Sequence, residues 1–216
     1  MLRKILIVTL IGFSALSLAQ AADLTIDKPD VKVGDIWKYR ILDGFTNEPK
    51  FEINFRTVSI SDSEITVRMT WKGNQNSRLA IFDRQWNMLD DGTAKWDPSR
   101  SEFKFPMRVG ESWARRYQVT NIKTGATSAC ISDAKVAANE KVTVPAGTFD
   151  TLRLETEIEC RSTGNDASLM KYAMKNWYSP EANRSVRQES QTFADGRVRD
   201  KSVVELIEYT PAKLGN

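Results

Sequence analysis

Apolar and polar residues alternate along most of this chain with a period of two, the repeat of a strand with one dry face. From Leu152 the sequence "LRLETEIEC" sets Leu152, Leu154, Ile158 and Cys160 on one side and Arg153, Glu155, Glu157 and Glu159 on the other. "EITVRMTWK" opposes Ile65, Val67, Met69 and Trp71 to Thr66, Arg68, Thr70 and Lys72. "KFEINFR" groups Phe51, Ile53 and Phe55, and "WKYRI" groups Trp37, Tyr39 and Ile41. One wet and one dry face marks antiparallel sheet. Turn-forming clusters separate the runs, among them Asp43-Gly44, Lys72-Gly73-Asn74, Asp91-Gly92, Pro145-Ala146-Gly147 and Asp195-Gly196. The pattern predicts an all-β fold, a large curved antiparallel meander of about ten or eleven strands, built as a half-barrel, a barrel or a sandwich.

One stretch fits two periods. In "DASLMKYAMKNW", Leu169, Ala173 and Trp177 fall at helical spacing, whereas Met170, Tyr172 and Met174 alternate. The run leads directly into the turn signal "YSPEAN", so strand is the preferred reading.

A short phrase occurs twice. "KVGDIWKYR" from Lys32 and "RVGESWARRY" from Arg108 both read basic, Val, Gly, acidic, any residue, Trp. The Gly offers a backbone angle suited to a tight turn into a strand, and Trp37 or Trp113 follows three residues later. The repetition reads either as two similar half-meanders, 31–105 and 106–210, or as shared turn chemistry. These Trp residues are expected first as core anchors.

"KVTVPAGTFDTLRLE" is the most specific local signal: Val142 and Val144 alternate into Pro145-Ala146-Gly147, and Phe149 starts the return strand. Cys130 lies fourteen residues before Val144 and Cys160 eleven after Phe149, so a regular hairpin misaligns them by about three residues. A bulge at Ala138-Asn139-Glu140 would absorb the difference. A cross-strand Cys130–Cys160 disulfide is therefore expected, as suits an exported chain with two Cys.

Export is read from the first residues. "MLRKILIVTLIGFSALSLAQA" has basic Arg3 and Lys4, an apolar run from Ile5 to Leu18 and a small-residue cleavage site, so cleavage is expected near Ala21-Ala22. Residues 1–21 then form a signal peptide and 22–216 a single all-β domain with no transmembrane segment, periplasmic or secreted. Without Arg3 and Lys4 the basic count falls from 31 to 29 against 28 acids. That near-neutral balance provides no one-sided field for nucleic acid.

The chain has no His, which removes Ser-His-Asp and Cys-His catalysis and His-ligated zinc. Asp83, Asp90 and Asp91 form the densest acidic group, yet "MLDDGTAKW" reads as a hairpin turn without calcium-loop spacing. Glu155, Glu157 and Glu159 read as a solvated stripe rather than a glycosidase pair. No catalytic residue, cofactor or metal ligand is expected.

The segments "VGDIWKYR", "FPMRVGESW", "VTVPAGTFDTLRLE" and "NWYSPEANRSVRQ" follow one another in a frame that resembles a widespread group of exported bacterial domains of unknown function: G-x-x-W, then V-P-A-G-T-F, then W-Y-x-P. The chain departs from that group at Glu181-Ala182-Asn183, where a Gly is usual, so Asn183 is expected in the left-handed conformation. The group resembles, more distantly, periplasmic lipoprotein-carrier half-barrels. That likeness is architectural and transfers no site residue.

An apolar surface remains to be covered, with scarcely any helix to cover it. Either the sheet closes on itself or a trough stays open for an apolar guest. In the second case Trp37, Tyr39, Phe51, Ile53, Phe55, Val67, Met69, Trp71, Trp113 and Trp177 are the candidate lining residues. The function expected is non-catalytic binding of a lipid or other apolar molecule in the cell envelope. The alternative is an envelope assembly module with a closed core, using an edge formed by "VVELIEY" and "VRQESQT" to recruit a partner protein.

Overall fold

The computed structural model describes residues 24–163 and 168–213. The expected signal segment lies outside them. Twelve strands are formed among the described residues: β1 (Ile36–Asp43), β2 (Pro49–Ile60), β3 (Glu64–Trp71), β4 (Ser77–Asp83), β5 (Met88–Asp90), β6 (Ala94–Asp97), β7 (Ser112–Asn121), β8 (Thr127–Val144), β9 (Gly147–Ser162), β10 (Leu169–Ser179), β11 (Arg184–Ala194) and β12 (Arg197–Thr210). Each pairs antiparallel with its sequence neighbours, and β12 returns to pair with β1, closing an up-and-down barrel. The stretch of mixed periodicity is strand β10. The extra strands beyond ten or eleven come from the short β5 and β6, joined through the single pair Asp90↔Lys95.

Closure corrects one expectation. β12 is bonded to β11 on one side and β1 on the other, so "VVELIEY" and "VRQESQT" provide no free edge for a partner strand. The wall's outward side carries exposed Arg56, Arg68, Arg116, Glu157 and Lys171, the reverse of a barrel facing lipid. Among the described residues, no helix is long and apolar enough to cross a membrane.

The two "VG" phrases fold alike. Gly34 and Gly110 take φ of 101° and 92°. Gly34 N–H donates to Thr57 O at 2.9 Å, Thr57 N–H to Asp35 O at 3.0 Å and Asp35 N–H to Lys32 O at 3.1 Å. The second turn repeats these bonds: Gly110 to Val136 O at 2.9 Å, Val136 to Glu111 O at 2.8 Å and Glu111 to Arg108 O at 3.2 Å. Each turn thereby pins its strand to the next.

In the central hairpin Cys130 stands opposite Cys160, and their sulfurs are 2.02 Å apart. The three-residue mismatch divides in two. Val144 pairs with Gly147, so the loop is only Pro145-Ala146, two residues tighter than a Val144–Phe149 closure. A single bulged residue, Ala137, absorbs the rest, just before the expected position.

The apolar faces are covered by one another and by a loop. The segment between β6 and β7 enters one end of the barrel, burying Ser99, Ser101, Glu102, Phe103 and Met107. Its backbone polar groups are satisfied by side chains of the β4–β5 turn: Phe103 N–H donates to Asn87 Oδ1 at 2.7 Å, Asn87 Nδ2 to Phe103 O at 3.0 Å, and Phe105 N–H to Gln85 Oε1 at 3.0 Å. Met107 also bridges to Ile26 through two backbone bonds, tying the segment before β1 to the plug. The main core centres on this end, and a smaller cluster of Tyr117, Cys130, Ile158 and Met174 lines β7 to β10 farther along.

Candidate functional site

The candidate site is a partly open cavity of about 90 Å³ at the plugged end of the barrel, bordered by Tyr39, Phe55, Phe82, Trp86, Glu102, Phe103, Asn176, Tyr178, Arg184, Ser185, Arg187, Gln188 and Val204. Its dominant feature is Arg184, which begins β11 after the tight turn that follows β10. The turn is held by two indoles. Trp37 Nε1 donates to Ala182 O at 2.7 Å and Trp86 Nε1 to Asn183 O at 2.8 Å. Asn183 takes φ 51°, the left-handed conformation that a short polar side chain tolerates. Trp86 itself has φ 63°, a costly conformation for a bulky residue and the kind of strain that gathers at functional sites.

The Arg184 guanidinium is surrounded by ring faces. It lies 4.4 Å from the centroid of Trp86, 4.5 Å from Phe55, 5.2 Å from Phe82 and 5.4 Å from Trp37. The residue keeps some accessible surface because it borders the cavity, but protein atoms pack around it and burial lowers its pKa. Among the described residues no carboxylate is within ion-pairing distance of Arg184, and its Nη1 has no acceptor. Glu102, the nearby buried acid, is ion-paired with Arg100. Withdrawing an ion from water costs several kcal/mol, and desolvated cation–π contacts return about 2 kcal/mol each, so the four rings offset much of the cost but supply no acceptor for the N–H groups.

Other polar groups share this condition. Asn176 Nδ2 and the Tyr178 hydroxyl are buried without a hydrogen-bond partner. Burial pushes the Tyr178 hydroxyl well above its usual range, and Tyr39 up to about 12, although the Arg184 charge pulls both downward. Tyr39 has a partner, donating to Ser185 O at 2.8 Å. Buried polar atoms without a hydrogen-bond partner are rare in folded proteins, and those of Asn176, Tyr178 and Glu102, whose Oε1 has only its ion pair with Arg100, border this cavity together with Arg184. Larger depressions of about 430 and 580 Å³ lie on the wall beside Trp113 and beside Tyr117, but none of the partnerless buried atoms belongs to their lining residues.

The expected lining residues separate into groups. Tyr39 and Phe55 border the cavity, and Trp37 lies against the guanidinium. Ile53, Val67 and Met69 are core, while Trp71 and Trp113 pack at its margin. Phe51 is 45% exposed and belongs to neither core cluster. Trp177 pairs with Arg153, on the opposite face of the wall from Leu152 and Leu154. There its ring meets Arg187 and its Nε1 donates to Glu140 Oε1 at 2.5 Å; it is buried as part of the main core cluster and does not border the cavity. The acidic groups are engaged in local structure. Asp83 accepts from Gln85, Asn87 and Ser99, Asp90 from Gly92, and Asp91 from Thr93 and Ala94. Glu155 accepts from Lys135, whose hydrogen bond lowers the carboxyl pKa.

Sequence reasoning missed Arg184, Asn176, Tyr178 and Glu102. Asn176 carried a usable signal: it falls in the same inward row as Met170, Tyr172 and Met174, a polar residue on a dry face.

Residues 102–194 match a family model described as DUF3108-like, a stretch that includes Glu102, Asn176, Tyr178 and Arg184. No curated protein matches the chain. Two solved structures share the fold. A candidate lipoprotein from Parabacteroides distasonis aligns with a TM-score of 0.54 at 16% identity, over 87% of this chain and 100% of that one. A candidate exported protein with a YmcC-like fold, from Bacteroides fragilis, aligns with a TM-score of 0.50 at 11% identity, again over 87% of this chain and 100% of the other.

Proposed function

We propose that this is a non-catalytic binding protein of the bacterial cell envelope that takes a small ligand into the plugged end of its barrel. The observation that carries this reading is the partly open cavity, bordered by a guanidinium without a carboxylate partner and by the partnerless groups of Asn176 and Tyr178. A barrel core built only for stability has no use for such groups, because burying them unpaired costs free energy that apolar residues would not. A ligand that supplies acceptors and an apolar body would satisfy both the polar atoms and the rings. The envelope location rests on the signal-like first residues and on the two structural relatives, one described as a lipoprotein and the other as an exported protein.

The cavity's size sets a limit. About 90 Å³ is roughly the room of three waters, so this end receives a small molecule or the head of a longer one rather than a whole acyl chain. The expected lipid ligand is thereby narrowed to what a head group can place here. Native mass spectrometry of protein purified from the envelope fraction tests the proposal. A bound small mass, released on denaturation, is expected. A ligand-free protein whose thermal stability no small organic acid or alcohol raises would overturn it.

A further inference from the structure

We infer that the ligand's buried end is a monocarboxylate, received by Arg184 and flanked by the Asn176 amide and the Tyr178 hydroxyl. This inference rests on the binding reading above and adds its chemical class. Arg184 brings a donor fork without a carboxylate of its own, and Asn176 and Tyr178 add donors that lack acceptors. A carboxylate offers acceptors only, which is what this set of groups lacks. Arg187, the other arginine at the border, is already paired with Glu189 and Glu205, so the one cation left without a carboxylate matches a single negative charge. A phosphate dianion would leave one charge uncompensated next to Glu102, whose carboxylate is already paired with Arg100. The rings of Phe55, Phe82 and Trp86 around the guanidinium suit an apolar substituent on the acid, not a second polar group.

Calorimetric titration of the intact protein with sodium acetate, sodium butyrate and sodium octanoate, each against its neutral amide, tests the inference. The acids are expected to bind at least tenfold more tightly than their amides, and Arg184→Met to weaken octanoate binding at least tenfold. Circular dichroism and a melting curve establish whether that variant folds. If it does not, the acid-against-amide comparison on the unaltered protein decides alone. Acetate binding as tightly as octanoate identifies a free small acid as the ligand type, and affinity rising with chain length identifies a lipid carboxyl group. Amides binding as well as acids would overturn the carboxylate assignment and leave the binding reading intact. Binding of neither acid nor amide, with no co-purified mass, would overturn both.

Discussion

The indole N–H of Trp37 donates to the carbonyl of Ala182, 145 residues farther along the chain, at 2.7 Å. Through this bond the first strand fixes the turn from which Arg184 enters the barrel. Trp86 does the same for Asn183, and the two indoles meet edge to face with centroids 5.5 Å apart. Trp37, which the sequence offered as a ligand-lining residue, thus acts with Trp86 in positioning a cation.

Trp37→Phe removes the donor and leaves the buried Ala182 carbonyl without it. A loss of about 1–3 kcal/mol is expected, plus a contribution from the vacated volume, read as a shifted urea midpoint. Trp113→Phe should cost less than half as much, since that indole is only half-buried and its bond to Ser101 O is 3.4 Å. Equal losses would contradict the ranking.

Replacing both Cys130 and Cys160 with Ala opens a link between residues 30 apart in sequence. The chain-entropy estimate for such a loop is about 3–4 kcal/mol. Guanidinium unfolding of the variant, compared with that of the oxidised protein, should show a loss of this size, and no loss would mean that the bridge leaves the unfolded chain unconstrained.

The tyrosines predict an alkaline limit. Tyr39 and Tyr117 are buried, and burial raises each from 10.0 to about 12. Between those values the unfolded chain has released the phenolic protons while the folded protein keeps them, so unfolding is favoured as pH rises. Stability should be constant below pH 10 with respect to these groups and fall progressively toward pH 12, by about 2–3 kcal/mol for each tyrosine. Urea unfolding across this range, with tyrosinate absorbance recorded in parallel, checks the sign. Ionisation of both residues in the native state near pH 10 would contradict it.

The repeated glycine turns make a paired prediction. Ala at Gly34 or Gly110 must adopt φ near 101° or 92°, a strain of about 1–2 kcal/mol. At Gly34 the added methyl would also come within 3.3 Å of Ala212 Cβ, while at Gly110 nothing lies within 4 Å. Gly34→Ala should therefore be the more destabilising, as measured by thermal melting of both variants.

The fold was largely legible because strand alternation is a local property. The rows Ile65-Val67-Met69 and Leu152-Leu154 are buried in the structure as their period demanded. The stretch around Trp177 supports two rows: Met174 and Tyr178 take one face, and Trp177 stands with Arg153 on the other, buried all the same. The plug was not legible. Phe103, Phe105 and Met107 lie in a stretch without strand or helix period, and only the closed barrel shows that they cover its end. Arg184 was hidden for a related reason: a charged residue after a turn signal reads as solvated, and its burial depends on Trp37, Phe55, Phe82 and Trp86, all far from it in the chain.

Nitrogen-15 NMR of the arginine side chains, with and without sodium octanoate, observes the buried guanidinium directly. The Arg184 Nη–H resonances, identified by their absence in Arg184→Lys, should shift and exchange more slowly with water as the acid is added. Resonances that stay unchanged at saturating octanoate would show that nothing binds at this cation, and that the rings alone hold it.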